Sequence, residues 1–156
     1  WQKAAAKIKH LKLELNNRSA LRYDGDLVYI RPLDEHFPPA PCYYDLSDCS
    51  MIGKMENLQS LYIDSILVDD PNLWPLLTKL PKLQNLRIQN TQVGDFSFLP
   101  HCKELKSVSF YNTDFSDCRL LLELPKLQEA DIRFCPLVHW GVLNSASIKI
   151  HGPRSE

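Results

Sequence analysis

Five cysteines (Cys42, Cys49, Cys102, Cys118, Cys135) and five histidines (His10, His36, His101, His139, His151) are the residues of this chain whose types could bind a metal, form disulfides or supply a nucleophile and base. Their spacing suits none of these. No two cysteines form a C-x-x-C pair, their number is odd, and no histidine stands at ligand spacing from another. Such a set predicts reduced thiols and a reducing compartment, hence an intracellular and cytoplasmic protein. The five glycines (Gly25, Gly53, Gly94, Gly141, Gly152) are too scattered to cradle a phosphate, and there is no G-x-S-x-G elbow. Asp34-Glu35-His36, near Cys42, is the one cluster resembling a site, and it lacks the pattern that zinc or nucleophile chemistry demands. It reads as a solvated loop. No catalytic residue, metal or cofactor is expected, so the chain is read as not an enzyme.

The elements that position the other side chains derive from one repeated frame, Leu-x-x-Leu-x-Leu-x-x-x-x-apolar, starting at Leu58, Leu83, Leu105 and Leu127 with spacings of 25, 22 and 22 residues. The units read Leu58-Leu61-Ile63-Ile66-Val68, Leu83-Leu86-Ile88-Thr91-Val93, Leu105-Val108-Phe110-Thr113-Phe115 and Leu127-Ala130-Ile132-Cys135-Leu137. The middle apolar pair has period two, which predicts a short strand with one buried face. Three residues on, Thr91, Thr113 and Cys135 are small groups able to bond backbone left open where the chain turns away. A second beat comes next, Val93-x-Asp95-Phe96-x-x-Leu99-x-x-Cys102 and Phe115-x-Asp117-Cys118-x-x-Leu121-x-x-Leu124. Spacing by three predicts a tight helical segment, with Asp95 and Asp117 placed to bond its first N–H groups. Asp70, with Pro71 after it, holds that place in the first unit. The frame explains Cys102 and Cys118 as small buried fillers, and Cys49 and Cys135 as occupants of the polar slot.

This arrangement resembles the leucine-rich-repeat superfamily, most nearly its 22-residue internalin-like and phosphatase-regulatory type. Leu83-Gln84-Asn85-Leu86-Arg87-Ile88-Gln89-Asn90-Thr91-Gln92-Val93-Gly94-Asp95-Phe96 carries the resemblance best. Departures are Ile66 in the Asn slot, a three-residue insertion between Val68 and Leu83, and Ala130 where leucine is usual. The resemblance implies an α/β leucine-rich-repeat solenoid: a curved parallel sheet of about seven strands, short helices on the convex side, and protein binding on the concave face.

The flanks extend the register. Ile8-x-x-Leu11-x-Leu13 gives a first strand after the helix-forming Trp1 to Lys7. Pro41-x-x-Tyr44-x-Leu46-x-x-Cys49 gives a shortened repeat, placed between that strand and the one after Leu58. Residues 18–41 are predicted to leave the frame as an insertion, with a hairpin turning at Asp24-Gly25 and then a Pro-rich loop. Leu143-x-x-Ala146-x-Ile148-x-Ile150 is expected to be the last strand, closed off in part by Trp140 and the polar tail. The whole, residues 1–156, is one domain. Because it begins with Trp1, it is expected to be a processed or excised piece of a longer protein.

The frame also says which residues point away from the core. Tyr62, Arg87, Tyr111, Arg133 and Phe134 form a diagonal of the aromatic and arginine types common in binding hot spots, joined by Asp64, Gln89 and Asp131. Asp45, Asp48 and Asp64 form an expected acidic patch on neighbouring strands. At net charge −1 and pI near 6.6 the chain has no global reason to bind nucleic acid or an anionic membrane. No apolar run approaches a membrane span. The function read from these residues is non-catalytic protein binding; the alternative is a substrate-recognition or accessory domain of a larger enzyme or assembly.

Overall fold

The computed structural model describes residues 5–14, 23–24, 27–30, 50, 52–64 and 72–152, with 13–14, 23–24 and 27–30 described by backbone alone. Among the described residues eight strands form one sheet: β1 (His10–Glu14), β2 (Tyr23–Asp24), β3 (Leu27–Ile30), β4 (Ser60–Asp64), β5 (Asn85–Gln89), β6 (Ser107–Ser109), β7 (Glu129–Asp131) and β8 (Lys149–His151). Their order is β2-β3-β1-β4-β5-β6-β7-β8, and every neighbouring pair is parallel except β2 with β3. Parallel neighbours need a crossover, and here it is short: helical segments at Ile52–Lys54, Leu73–Leu77, Leu99–His101, Arg119–Leu122 and Trp140–Ser145. The chain is a leucine-rich-repeat solenoid.

The strands form because each paired apolar slot is filled. Leu61, Ile63, Leu86, Ile88, Val108, Phe110, Ala130 and Ile132 are all at most 1% exposed, in the successive parallel strands β4 to β7 or the residue just beyond them. The ladder outruns the strands, since Phe110 N–H donates to Asp131 O and Ile132 N–H to His151 O, both at 2.7 Å. Strands β4 to β7 begin the same way. The carbonyls of Lys9, Gln59, Gln84 and Lys106 each accept two successive N–H groups of the next repeat. Between sheet and helical segments the interior is aromatic, with Trp74 stacked on Phe98 at 5.9 Å and Phe96 edge-on to both Phe110 and Phe115 at 5.1 and 5.0 Å.

The slots that turn the chain behave as their chemistry requires. Thr91 Oγ1 donates to Gln89 O, and Thr113 Oγ1 donates to Phe110 O while accepting from Phe115 N–H. Cys135 Sγ bonds the same Phe110 carbonyl, but the residue is only partly buried. Asp95 accepts from Ser97 N–H and Asp117 from Arg119 N–H, each tying down the start of a helical segment. Asp114 was not anticipated: its carboxylate takes the N–H groups of Val93 and Gly94 from the preceding repeat at 2.8 and 2.7 Å. Gly94 has φ +80°, which explains glycine there.

Two registers differ from expectation. The strand beside β1 is β4, with His10 opposite Ser60 and Leu11 opposite Leu61, so no strand from residues 41–49 separates them. Asp45, Asp48, Cys42, Cys49, Asp34-Glu35-His36, Ile66, Val68 and Asp70-Pro71 all lie outside the described residues. At the other end Ile150, not Ala146, stands opposite Ala130, so the last strand runs four residues later than the leucine frame placed it. The shift arises because Trp140–Ser145 winds as a six-residue 3₁₀ segment and uses more chain than a minimal turn. Trp140 is half-buried against the core and lies over Gly152, where a Cβ would collide with its ring.

The hairpin within residues 18–41 also has a different role from a free insertion. Tyr23 pairs with Val28 and Asp24 with Leu27, and β3 then pairs with β1 from His10↔Leu27 to Leu13↔Ile30. It therefore covers the edge of β1. Deleting residues 21–30 is expected to leave that edge unpaired and to cause self-association, measurable by sedimentation velocity. A variant that stays monomeric with an unchanged melting temperature would show the hairpin to be dispensable.

Cys102 and Cys118 are buried with free thiols, and burial pushes each thiol up to about 11, Asp117 and Cys135 adding to the effect at Cys118. About two pH units above an ordinary thiol means roughly a hundredfold less thiolate at neutral pH. Iodoacetamide should therefore modify Cys135 before Cys102 and Cys118 in the native protein, with those two reacting fully only in denaturant. Rapid native labelling of Cys102 would contradict this packing. No helix among the described residues is long and apolar enough to cross a membrane.

Candidate protein-binding face

Parallel pairing puts outward-facing residues of successive strands into rows. One row runs His10, Ser60, Asn85, Ser107, Glu129, Lys149, and the next runs Lys12, Tyr62, Arg87, Ser109, Asp131, His151. A third begins Asp64, Gln89 and continues past the strand ends to Tyr111 and Arg133, held by Asn90 N–H to Tyr111 O and Asn112 N–H to Arg133 O. The residues expected on one diagonal thus fall into two neighbouring groups: Tyr62, Asp64, Arg87 and Gln89, and Tyr111, Asp131, Arg133 and Phe134.

The first group surrounds Tyr62. Lys12 Nζ lies 4.8 Å and the Arg87 guanidinium 5.6 Å from its ring centroid, one from each flanking strand. The Tyr62 hydroxyl donates to Asp64 Oδ2 at 2.8 Å and lies 3.3 Å from Gln89 Oε1, whose amide in turn donates to Ser109 Oγ. Asp64 Oδ1 accepts from Asn90 Nδ2, and Asn90 Oδ1 accepts from Asn112 Nδ2, each at 2.9 Å. Asp64 is therefore the anchor of a side-chain ladder. Beside this group a hollow of about 370 Å³ opens, lined by His10, Lys12, Ser60, Tyr62, Asn85 and Arg87, with Ser107 and Ser109 along its far side.

The second group is an exposed aromatic pair with its ion pair. Tyr111 and Phe134 meet edge to face at 5.1 Å, and Arg133 lies 5.3 Å from the Tyr111 centroid. Arg133 is itself fixed by Asp131 through bonds of 2.9 and 2.7 Å, and that hydrogen bonding holds the Asp131 carboxyl below its ordinary range. Phe134 is 70% exposed. Its φ is +61°, matching Asn90 at +50° and Asn112 at +51° in the two preceding repeats. Asparagine tolerates this left-handed conformation and phenylalanine does not, so Phe134 is a bulky apolar side chain at a strained, solvent-facing position.

Lys12 and the Glu129, Lys149, His151 cluster were not picked out in the sequence as site residues. Glu129 takes Lys149 at 3.0 Å and lies 2.7 Å from His151 Nε2, which lowers its carboxyl. The expected strand from 44–46 kept Lys12 one strand away from Tyr62; direct pairing of β1 with β4 removes that separation. His151 became visible only once the last strand moved four residues later. Among the described residues no group of three or more His, Cys, Asp or Glu could hold a metal ion.

No family model matches the chain, and neither does any curated protein. Among solved structures it is similar to internalin C2 of Listeria monocytogenes str. 4b F2365, with a TM-score of 0.51 and 26% identity over 67% of this chain. The chain spans 44% of that internalin structure's length. The likeness supports the leucine-rich-repeat fold independently of the strand register.

Proposed function

We propose that this leucine-rich-repeat domain is a non-catalytic protein-interaction module that holds a protein partner on the open face of its sheet. Phe134 carries the reading. A phenyl ring in left-handed backbone costs on the order of 1 kcal/mol relative to the asparagine of the sister repeats, and 70% of it meets water. Neither property helps the isolated domain, whereas both suit an apolar anchor that a partner covers. Tyr111, Arg133, Tyr62 and Arg87 extend the same surface, and the likeness to an internalin supports the reading at the level of the fold.

For a protein partner recovered with the intact domain, Arg87→Ala and Tyr111→Ala are each expected to weaken binding by more than about 1 kcal/mol, with melting temperature unchanged. Titration calorimetry reads the first quantity and thermal unfolding the second. Binding that survives both changes would move the active surface to the helical side or the hairpin.

A further inference from the structure

We propose that the hollow beside Tyr62 is an acceptor site for a carboxylate side chain of an acidic segment in the protein partner, an inference that rests on the open-face reading above. The carboxylates around the hollow are already answered. Glu129 has Lys149 and His151, Asp131 has Arg133, and Asp64 has the Tyr62 hydroxyl and Asn90. Arg87 differs: its contact is the Tyr62 ring, and among the described residues it faces no carboxylate. Lys12 approaches the same ring from the opposite strand, so two cations stand either side of one aromatic side chain, on strands roughly 10 Å apart. An anion seated between them would be attracted by both charges.

The rest of the lining suits a carboxylate. Asn85 Nδ2 donates to Ser60 Oγ at 3.1 Å, which leaves the Ser60 hydroxyl proton to donate into the hollow, and His10 stands at its rim. The Arg87 guanidinium offers the planar fork that takes a carboxylate by two parallel bonds. At about 370 Å³ the hollow holds a side chain with its flanking backbone and not just a small ion. A polyanion fits worse, because Glu129 and Asp131 lie in the same rows of the face and the net charge is −1.

Selection of a random linear peptide display library on the intact domain tests this. Recovered peptides are expected to be enriched in Asp or Glu at one position beside an apolar residue. Converting that residue to its amide should weaken binding to the intact domain at least about tenfold, and Arg87→Gln should abolish the discrimination between acid and amide. Peptides without acidic enrichment that are still lost on Tyr111→Ala would overturn the carboxylate site and leave the open-face reading standing. Acid-amide discrimination that persists in Arg87→Gln would overturn it equally. Peptides indifferent to both Arg87→Gln and Tyr111→Ala would overturn both readings, and so would peptides displaced by single-stranded RNA at equal charge more readily than by themselves.

Discussion

Phe110→Ala is expected to remove about 3 to 5 kcal/mol of folding stability, the range for deleting a buried aromatic ring. Phe110 is 0% exposed and touches Phe115 at 4.9 Å and Phe96 at 5.1 Å between ring centroids. Those two rings come from the helical sides of neighbouring repeats, so the cavity would loosen the sheet and the packing behind it together. In a solenoid each repeat is stabilised mainly by its neighbours, and a domain of this kind has only about 5 to 15 kcal/mol in total. The midpoint of urea unfolding should fall by a large fraction while Leu122→Ala, at a side chain 46% exposed, shifts it little. A Phe110→Ala loss below about 1 kcal/mol would mean that the ring is not at the centre of the core.

Phe134→Asn should act in opposite directions on stability and binding. Asparagine is the residue that Asn90 and Asn112 already place at this backbone conformation, and it could extend the amide ladder that runs from Asp64 through both of them. Stability is therefore expected to rise by about 1 kcal/mol. Partner affinity is expected to fall by about 2 kcal/mol or more, the scale of a central apolar anchor. Unfolding curves and calorimetry on the same preparation separate the two effects. A variant that is more stable and binds as before would remove Phe134 from the interface.

Much of this fold was legible because leucine spacing is enforced by burial: Leu58, Leu83, Leu105 and Leu127, all buried, each start a repeat and set the register of its strand. Burial also fixed which of Tyr62, Arg87, Tyr111 and Arg133 point outward. Spacing fails where no such constraint acts. The tract Leu143-x-x-Ala146-x-Ile148-x-Ile150 satisfies the leucine frame, yet a 3₁₀ segment from Trp140 to Ser145 consumes residues and sets Ile150, the last member of that tract, opposite Ala130. Likewise Tyr44 and Leu46 satisfy the frame, but β1 pairs with β4 directly, because a parallel ladder depends on which strands meet in space and not on their sequence order. The strain at Phe134 was invisible for a different reason. Composition marks it as aromatic, and only its alignment in space with Asn90 and Asn112 shows it in a conformation that phenylalanine disfavours.

Site-specific photo-crosslinking tests the central claim that a protein partner sits on the open face. A photoreactive amino acid is placed at Tyr111, beside Phe134 on that face, or at Leu122, exposed on the helical side. With melting temperatures matched to the parent protein, an adduct to a discrete protein partner is expected from the Tyr111 position alone. A partner adduct formed from the Leu122 position, with none from Tyr111, would contradict it.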